Sequence, residues 1–162
     1  MLPKDFREFI ELLNSESVEY VVVGGYAVAY HGHPRYTGDI DFFVEASEDN
    51  AHRILNALRR FGFASLALTE ADFVKRDQVV QLGIPPQRID LLTGISGVSF
   101  SEAWENRVSA ALDGVPVYII GREMLLKNKA AAGRPQDEAD LREIPRGAAD
   151  GDSSVGPGRP TS

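Results

Sequence analysis

The chain has 162 residues, a formal net charge of -7, 43% hydrophobic and 25% charged residues, and no cysteine. That length suits one domain with a modest core, and the lack of cysteine excludes disulfides and zinc–thiolate sites. No apolar run reaches the length of a membrane span, and the acidic balance lacks the basic footprint of broad nucleic-acid binding.

In chain order, residues 4–15 predict a helix, with Phe6, Phe9, Ile10 and Leu13 at helical spacing. This N-terminal stretch is amphipathic and carries acids, so it does not read as a signal peptide, and a cytoplasmic protein is expected. Residues 19–23 predict a first strand. Gly25 to Tyr30 predicts a short helix, closed by His31-Gly32 and stopped by Pro34. Residues 39–45 predict a second strand, and residues 48–60 a long helix with Ile54, Leu55 and Leu58 inward. Residues 79–82 and 88–92 predict a strand pair joined through Pro85-Pro86. Ser99 to Glu102 matches a capping box that opens a short helix containing Trp104. Residues 115–120 predict another strand, residues 121–133 a helix, and residues 135–144 the start of a last helix. Mixed strands and helices give an α/β or α+β class, a short mixed sheet flanked by helices. The folded domain is expected to span residues 1–144.

From Pro145 the composition turns to Gly, Pro, Ser and Asp, with Val155 the single branched apolar residue. Such a segment offers no core residues, so residues 145–162 are expected to be a disordered tail. Deleting the chain from Gly147 onward is expected to leave the melting temperature and activity unchanged. A drop of several degrees in a thermal melt would show instead that the tail docks.

The chemistry concentrates between Gly24 and Val44. A glycine pair, Gly24-Gly25, follows one apolar strand, and two aspartates, Asp39 and Asp41, lie in the next. Alternation along a strand turns both aspartates to one face and Ile40, Phe42 and Val44 to the other. Paired carboxylates are hard oxygen ligands of the kind Mg2+ or Mn2+ takes, and glycines at a helix start let phosphate oxygens approach backbone N–H groups. Asp90, between Ile89 and Leu91, is the best candidate for a third acid from a neighbouring strand. Arg35 and Thr37 stand just ahead of the aspartate strand. Arg35 would pair with triphosphate oxygens or with nearby acids, and Thr37 would shape the turn. His31 and His33 lack a third nitrogen ligand nearby and read as loop residues. Trp104 and Phe100 read as filling a core edge rather than stacking a base.

The ordered run Gly24, Gly25, Arg35, Thr37, Asp39, Asp41 resembles the signature of the minimal nucleotidyltransferases, within the DNA polymerase β-like superfamily, and is closest to the AbiEii-like proteins. Lys129, Gly133, Arg134, Pro135, Asp137, Asp140 and Leu141 resemble a second run of that family. Two departures stand out: Gly25 replaces a frequent serine, and Glu138 replaces a frequent apolar residue. The resemblance implies metal-dependent transfer of a nucleoside monophosphate from an NTP to an acceptor hydroxyl. Asp39, Asp41 and Asp90 would bind metal and act in catalysis, and Gly24, Gly25, Arg35, Thr37 and Lys129 would bind the nucleotide. Arg134 and Asp137 would clamp the turn between two helices. The acceptor stays open between RNA (transfer RNA included), protein and small molecules. A toxin–antitoxin or phage-defence role with a cognate antitoxin is a further implication. Two rival readings are a non-catalytic nucleotide-binding module and a metal-dependent phosphohydrolase.

Overall fold

In a computed structural model of the chain, the described residues are 2–34, 37–62, 67–84 and 86–146. The expectations for Arg35, Pro85 and the tail from Gly147 onward lie outside them. The elements run α1 (Lys4–Ser15), β1 (Tyr20–Val23), α2 (Gly24–Tyr30), β2 (Ile40–Val44), α3 (Glu48–Phe61), α4 (Ala71–Val74), β3 (Val79–Leu82), β4 (Ile89–Leu92), α5 (Phe100–Glu105), β5 (Val108–Leu112), β6 (Val115–Ile119), α6 (Arg122–Ala132) and α7 (Pro135–Glu143).

The strands form one six-stranded sheet in the order β3-β4-β2-β1-β6-β5. β1 pairs antiparallel with β2, while β2 runs parallel to β4 and β1 parallel to β6. β3 and β5 close the two edges as antiparallel partners of β4 and β6. A mixed sheet with helices interspersed along the chain is an α+β fold, as the alternation of periods predicted.

β2 lies near the middle of the sheet, and aromatic packing sets its two faces. Phe42 meets Phe9 of α1 and Tyr20 of β1, each at 5.6 Å between ring centroids, and Phe9 also meets Phe61 of α3 at 5.2 Å. Removing a ring of this kind from the core costs about 3–5 kcal/mol. On the opposite face Phe43 packs on Phe100 of α5 at 5.2 Å, and Phe100 stacks on Trp104. Both faces of β2 are therefore covered, and the carboxylates gather only at its N-terminal end. Ser99 caps α5 with a full capping box, as the Ser-x-x-Glu spacing predicted.

Three details differ from the sequence-based expectation. β2 begins at Ile40 and β4 at Ile89, so Asp39 and Arg88 each stand one residue ahead of their strand. β5 was not expected: Val108–Leu112 carries two alanines and a serine and is half-buried at an edge. It turns into β6 through Asp113 (φ 55°) and Gly114 (φ 81°), both left-handed, as a tight hairpin requires. α4 is a single turn, too short to show a period.

Asn50, buried in the first turn of α3, ties that helix to the sheet. Its side-chain oxygen accepts from Glu19 N at 2.8 Å, and its amide donates to Glu19 O at 3.1 Å and Glu45 O at 3.0 Å. Asn50→Ala is expected to lower the unfolding free energy by about 2–3 kcal/mol, because buried backbone groups lose their partners. A urea denaturation midpoint equal to wild type would refute this.

Candidate active site

The parallel register of β2 and β4 places Asp41 directly opposite Asp90. Adjacent strands lie about 4.8 Å apart, so the two carboxyl groups are immediate neighbours on one face. Asp90 itself is 8% exposed. Asp41 is pushed up to about 7, first by burial, then by the charge and hydrogen-bonding reach of Asp90 and by the charge of Asp39. Arg88 pulls it down, but not enough to cancel these effects.

Asp41 also presses against the start of α2. Gly24 has φ +70°, and a Cβ there would collide with Asp41 Oδ2. Glycine is thus required twice over at position 24, for its backbone conformation and for the close approach of the carboxylate. Gly25 follows in the same first turn of α2. Thr37 braces the entry to β2, its hydroxyl donating to the Asp39 carbonyl at 3.0 Å.

Arg88 is the residue that sequence reasoning missed. Its Nε donates to Asp90 Oδ1 at 2.8 Å, and its Nη2 donates to Asp39 Oδ2 at 2.9 Å and Asp90 Oδ2 at 3.2 Å. Its backbone N–H reaches Asp39 Oδ1 at 3.3 Å. The guanidinium therefore spans two of the three acids. Its two-residue spacing from Asp90 already put both side chains on one strand face, and that signal could have found it.

The Lys129 ammonium is buried in α6, 3.1 Å from both Asp137 and Asp140 of α7, so two carboxylates of the neighbouring helix hold it. Asp137 continues the chain of contacts to Arg134, whose Nε donates to Asp137 Oδ2 at 2.6 Å. The side chain of Arg134 is 74% exposed. Its hydrogen bond to Asp137, and then the Asp137 charge, raise its pKa above the ordinary arginine value. The α6–α7 clamp expected of Arg134 and Asp137 thus has a buried lysine behind it.

His31 Nε2 lies 2.7 Å from the Ile120 carbonyl, and His33 lies 3.9 Å from Asp140, so each has a partner in the packing. Trp104 carries Arg107 over its ring at 3.7 Å. Among the described residues no group of three His, Asp or Glu side chains is gathered closely enough to hold a metal ion as it stands. The chemistry of the donor set nevertheless suits a hard divalent cation. Asp41, Asp90 and Asp39 crowd together with one guanidinium among them, and Asp41 is buried with too little opposing charge. Among the described residues no helix is long and apolar enough to cross a membrane.

Residues 4–145 match the family described as nucleotidyltransferase of unknown function (DUF6036). No curated protein sequence is significantly similar. Among solved structures, a protein described as a nucleotidyltransferase from Thermotoga maritima is similar in fold, with TM-score 0.56 and 19% identity over 85% of this chain and 88% of that one. An antigenic nucleotidyltransferase-like protein from Paracoccidioides brasiliensis aligns with TM-score 0.51 and 19% identity over 88% of this chain and 75% of that one. ANT(2")-Ia, solved with adenylyl-2"-tobramycin, aligns with TM-score 0.50 and 12% identity over 86% of this chain and 84% of that one. These likenesses are likenesses of fold.

Proposed function

The chain belongs to the nucleotidyltransferase family that its residues 4–145 match, and we propose that it moves a nucleoside monophosphate from an NTP to an acceptor hydroxyl. The observation that carries this reading is the in-register pair Asp41 and Asp90, with Asp39 beside it and Gly24 against Asp41. In the proposed reaction the acceptor oxygen bonds to the α-phosphorus. The bond from that phosphorus to the bridging oxygen breaks, and pyrophosphate leaves. The hydroxyl proton passes to Asp90, which lies on β4 beside Asp41. Asp39, Asp41 and Asp90 would hold Mg2+ or Mn2+, which supplies positive charge to the attacking and leaving oxygens.

Gly24 and Gly25 would hold phosphate oxygens through backbone N–H groups, Thr37 would keep the entry to β2 in shape, and Arg35 would add a cation. Arg134 would meet the triphosphate in place of Lys129, because it is largely exposed while it donates to Asp137. Lys129 would act at one remove, by fixing Asp137 and so Arg134.

A small-molecule acceptor is favoured over RNA. The net charge of -7 lacks the basic balance that broad polyanion binding usually carries. One fold neighbour, ANT(2")-Ia, was solved with adenylyl-2"-tobramycin, and that complex supports the small-molecule reading. Incubation with each α-labelled NTP, Mg2+ or Mn2+, and either a cell extract or total RNA tests the reading. Label on a small molecule supports it. Label on transfer RNA would point instead to the AbiEii-like, toxin-type role with a cognate antitoxin. Free nucleotide or phosphate alone would indicate a hydrolase, and binding without turnover a non-catalytic module.

A further inference from the structure

Arg88 occupies an unusual position for a cation so near three acids. Its Nε and Nη2 bond Asp90 and Asp39 through the oxygens those residues would offer to a divalent ion. An arginine is charged at every accessible pH, so this contact cannot be relieved by losing a proton. The Asp39 contact is part-exposed, the Arg88 side chain being 24% and that of Asp39 36% exposed, while the Asp90 side chain is 11% exposed. The Asp39 arm, nearer to solvent, is therefore the weaker of the two. The backbone of Arg88 is fixed independently, since Ile40 N donates to its carbonyl at 3.0 Å. Moving the side chain alone frees Asp90 and Asp39 Oδ2, while the backbone N–H of Arg88 keeps its contact with Asp39 Oδ1.

We propose that Arg88 is a built-in counter-cation that holds Asp39 and Asp90 and competes with the divalent ion for them. A metal then binds only as the guanidinium lets go, and Arg88 sets the metal concentration at which the site fills. This rests on the reading of Asp39, Asp41 and Asp90 as metal ligands. Arg88 is a positioning residue in this scheme, because it acts on the acids rather than on the reacting atoms. The guanidinium spans two of them, and each carboxylate oxygen it takes is one withheld from the ion.

Mn2+ binding to the intact chain, followed by electron paramagnetic resonance without nucleotide, tests the proposal. Arg88→Gln removes both the charge and the fork, and is expected to bind Mn2+ at least tenfold more tightly than wild type. Arg88→Lys keeps the charge but cannot span two carboxylates, and is expected to fall between them. Circular dichroism checks that both variants fold. A residue that merely braced the acids would give weaker Mn2+ binding when removed. Unchanged or weaker binding in Arg88→Gln, with wild type binding measurably, overturns the role of Arg88 and leaves the metal site standing. No Mn2+ binding by wild type or by either variant at millimolar concentration overturns both.

Discussion

Asp41→Asn is expected to abolish nucleotidyl transfer while leaving the protein folded. The buried carboxylate sits against Gly24 and opposite Asp90, in a cluster where like charges and burial already oppose its ionisation. Asparagine keeps its shape and removes the charge on which the proposed metal depends. The melting temperature in metal-free buffer should therefore equal or exceed that of wild type. Asp39→Asn should abolish turnover in the same way. Asp90→Ala should reduce transfer by about a hundredfold or more, the scale of a lost general base, with NTP binding largely retained. Single-turnover transfer of label from an α-labelled NTP measures all three. Activity within a few-fold of wild type in both the Asp39 and Asp41 variants would remove the metal-site reading.

Lys129→Met should damage the fold rather than the chemistry. Asp137 and Asp140 are both fully buried, and the lysine ammonium is bound to each. Breaking a buried ion pair from one side costs about 3–5 kcal/mol, because the remaining charge is stranded. Burial alone would raise Asp137, but its bonds from Arg134 and Lys129 prevail and hold it down at about 2. A depressed carboxyl stabilises the fold above its unfolded value and loses that contribution as pH falls toward the folded one. The wild type should thus lose stability on the order of 2 kcal/mol through this group as pH falls from about 5 to about 1. Asp137→Asn should be less stable at pH 7 and flatter across that window. Urea denaturation at a series of pH values reads both. If Lys129→Met instead melts like wild type and only raises the KM for NTP, the lysine serves the phosphates as the family resemblance implied.

The periodicities of single segments were enough to identify most elements. Phe6, Phe9, Ile10 and Leu13 announce α1, Ser99 and Glu102 announce α5, and the apolar runs announce five of the six strands. Each of these signals is local, because a side chain's face follows from its backbone angles and its place in the segment. β5 escaped because its residues are small and half-exposed at an edge, though Asp113-Gly114 was a readable turn signal. α4 escaped because one turn has no period.

The local periodicities settled the class of the fold, and strand alternation raised the expectation that Asp39 and Asp41 share a face with Asp90 as a third acid. Tertiary structure decided which strand lies beside which, and hence that Asp41 faces Asp90 in register. It also decided where the cations go. Arg88 bridges Asp39 and Asp90, while Lys129 is buried between Asp137 and Asp140. Long charged side chains can reach several partners, and their pairing is a competition between burial, charge and distance. That competition is settled only when strands and helices distant in the chain have packed together.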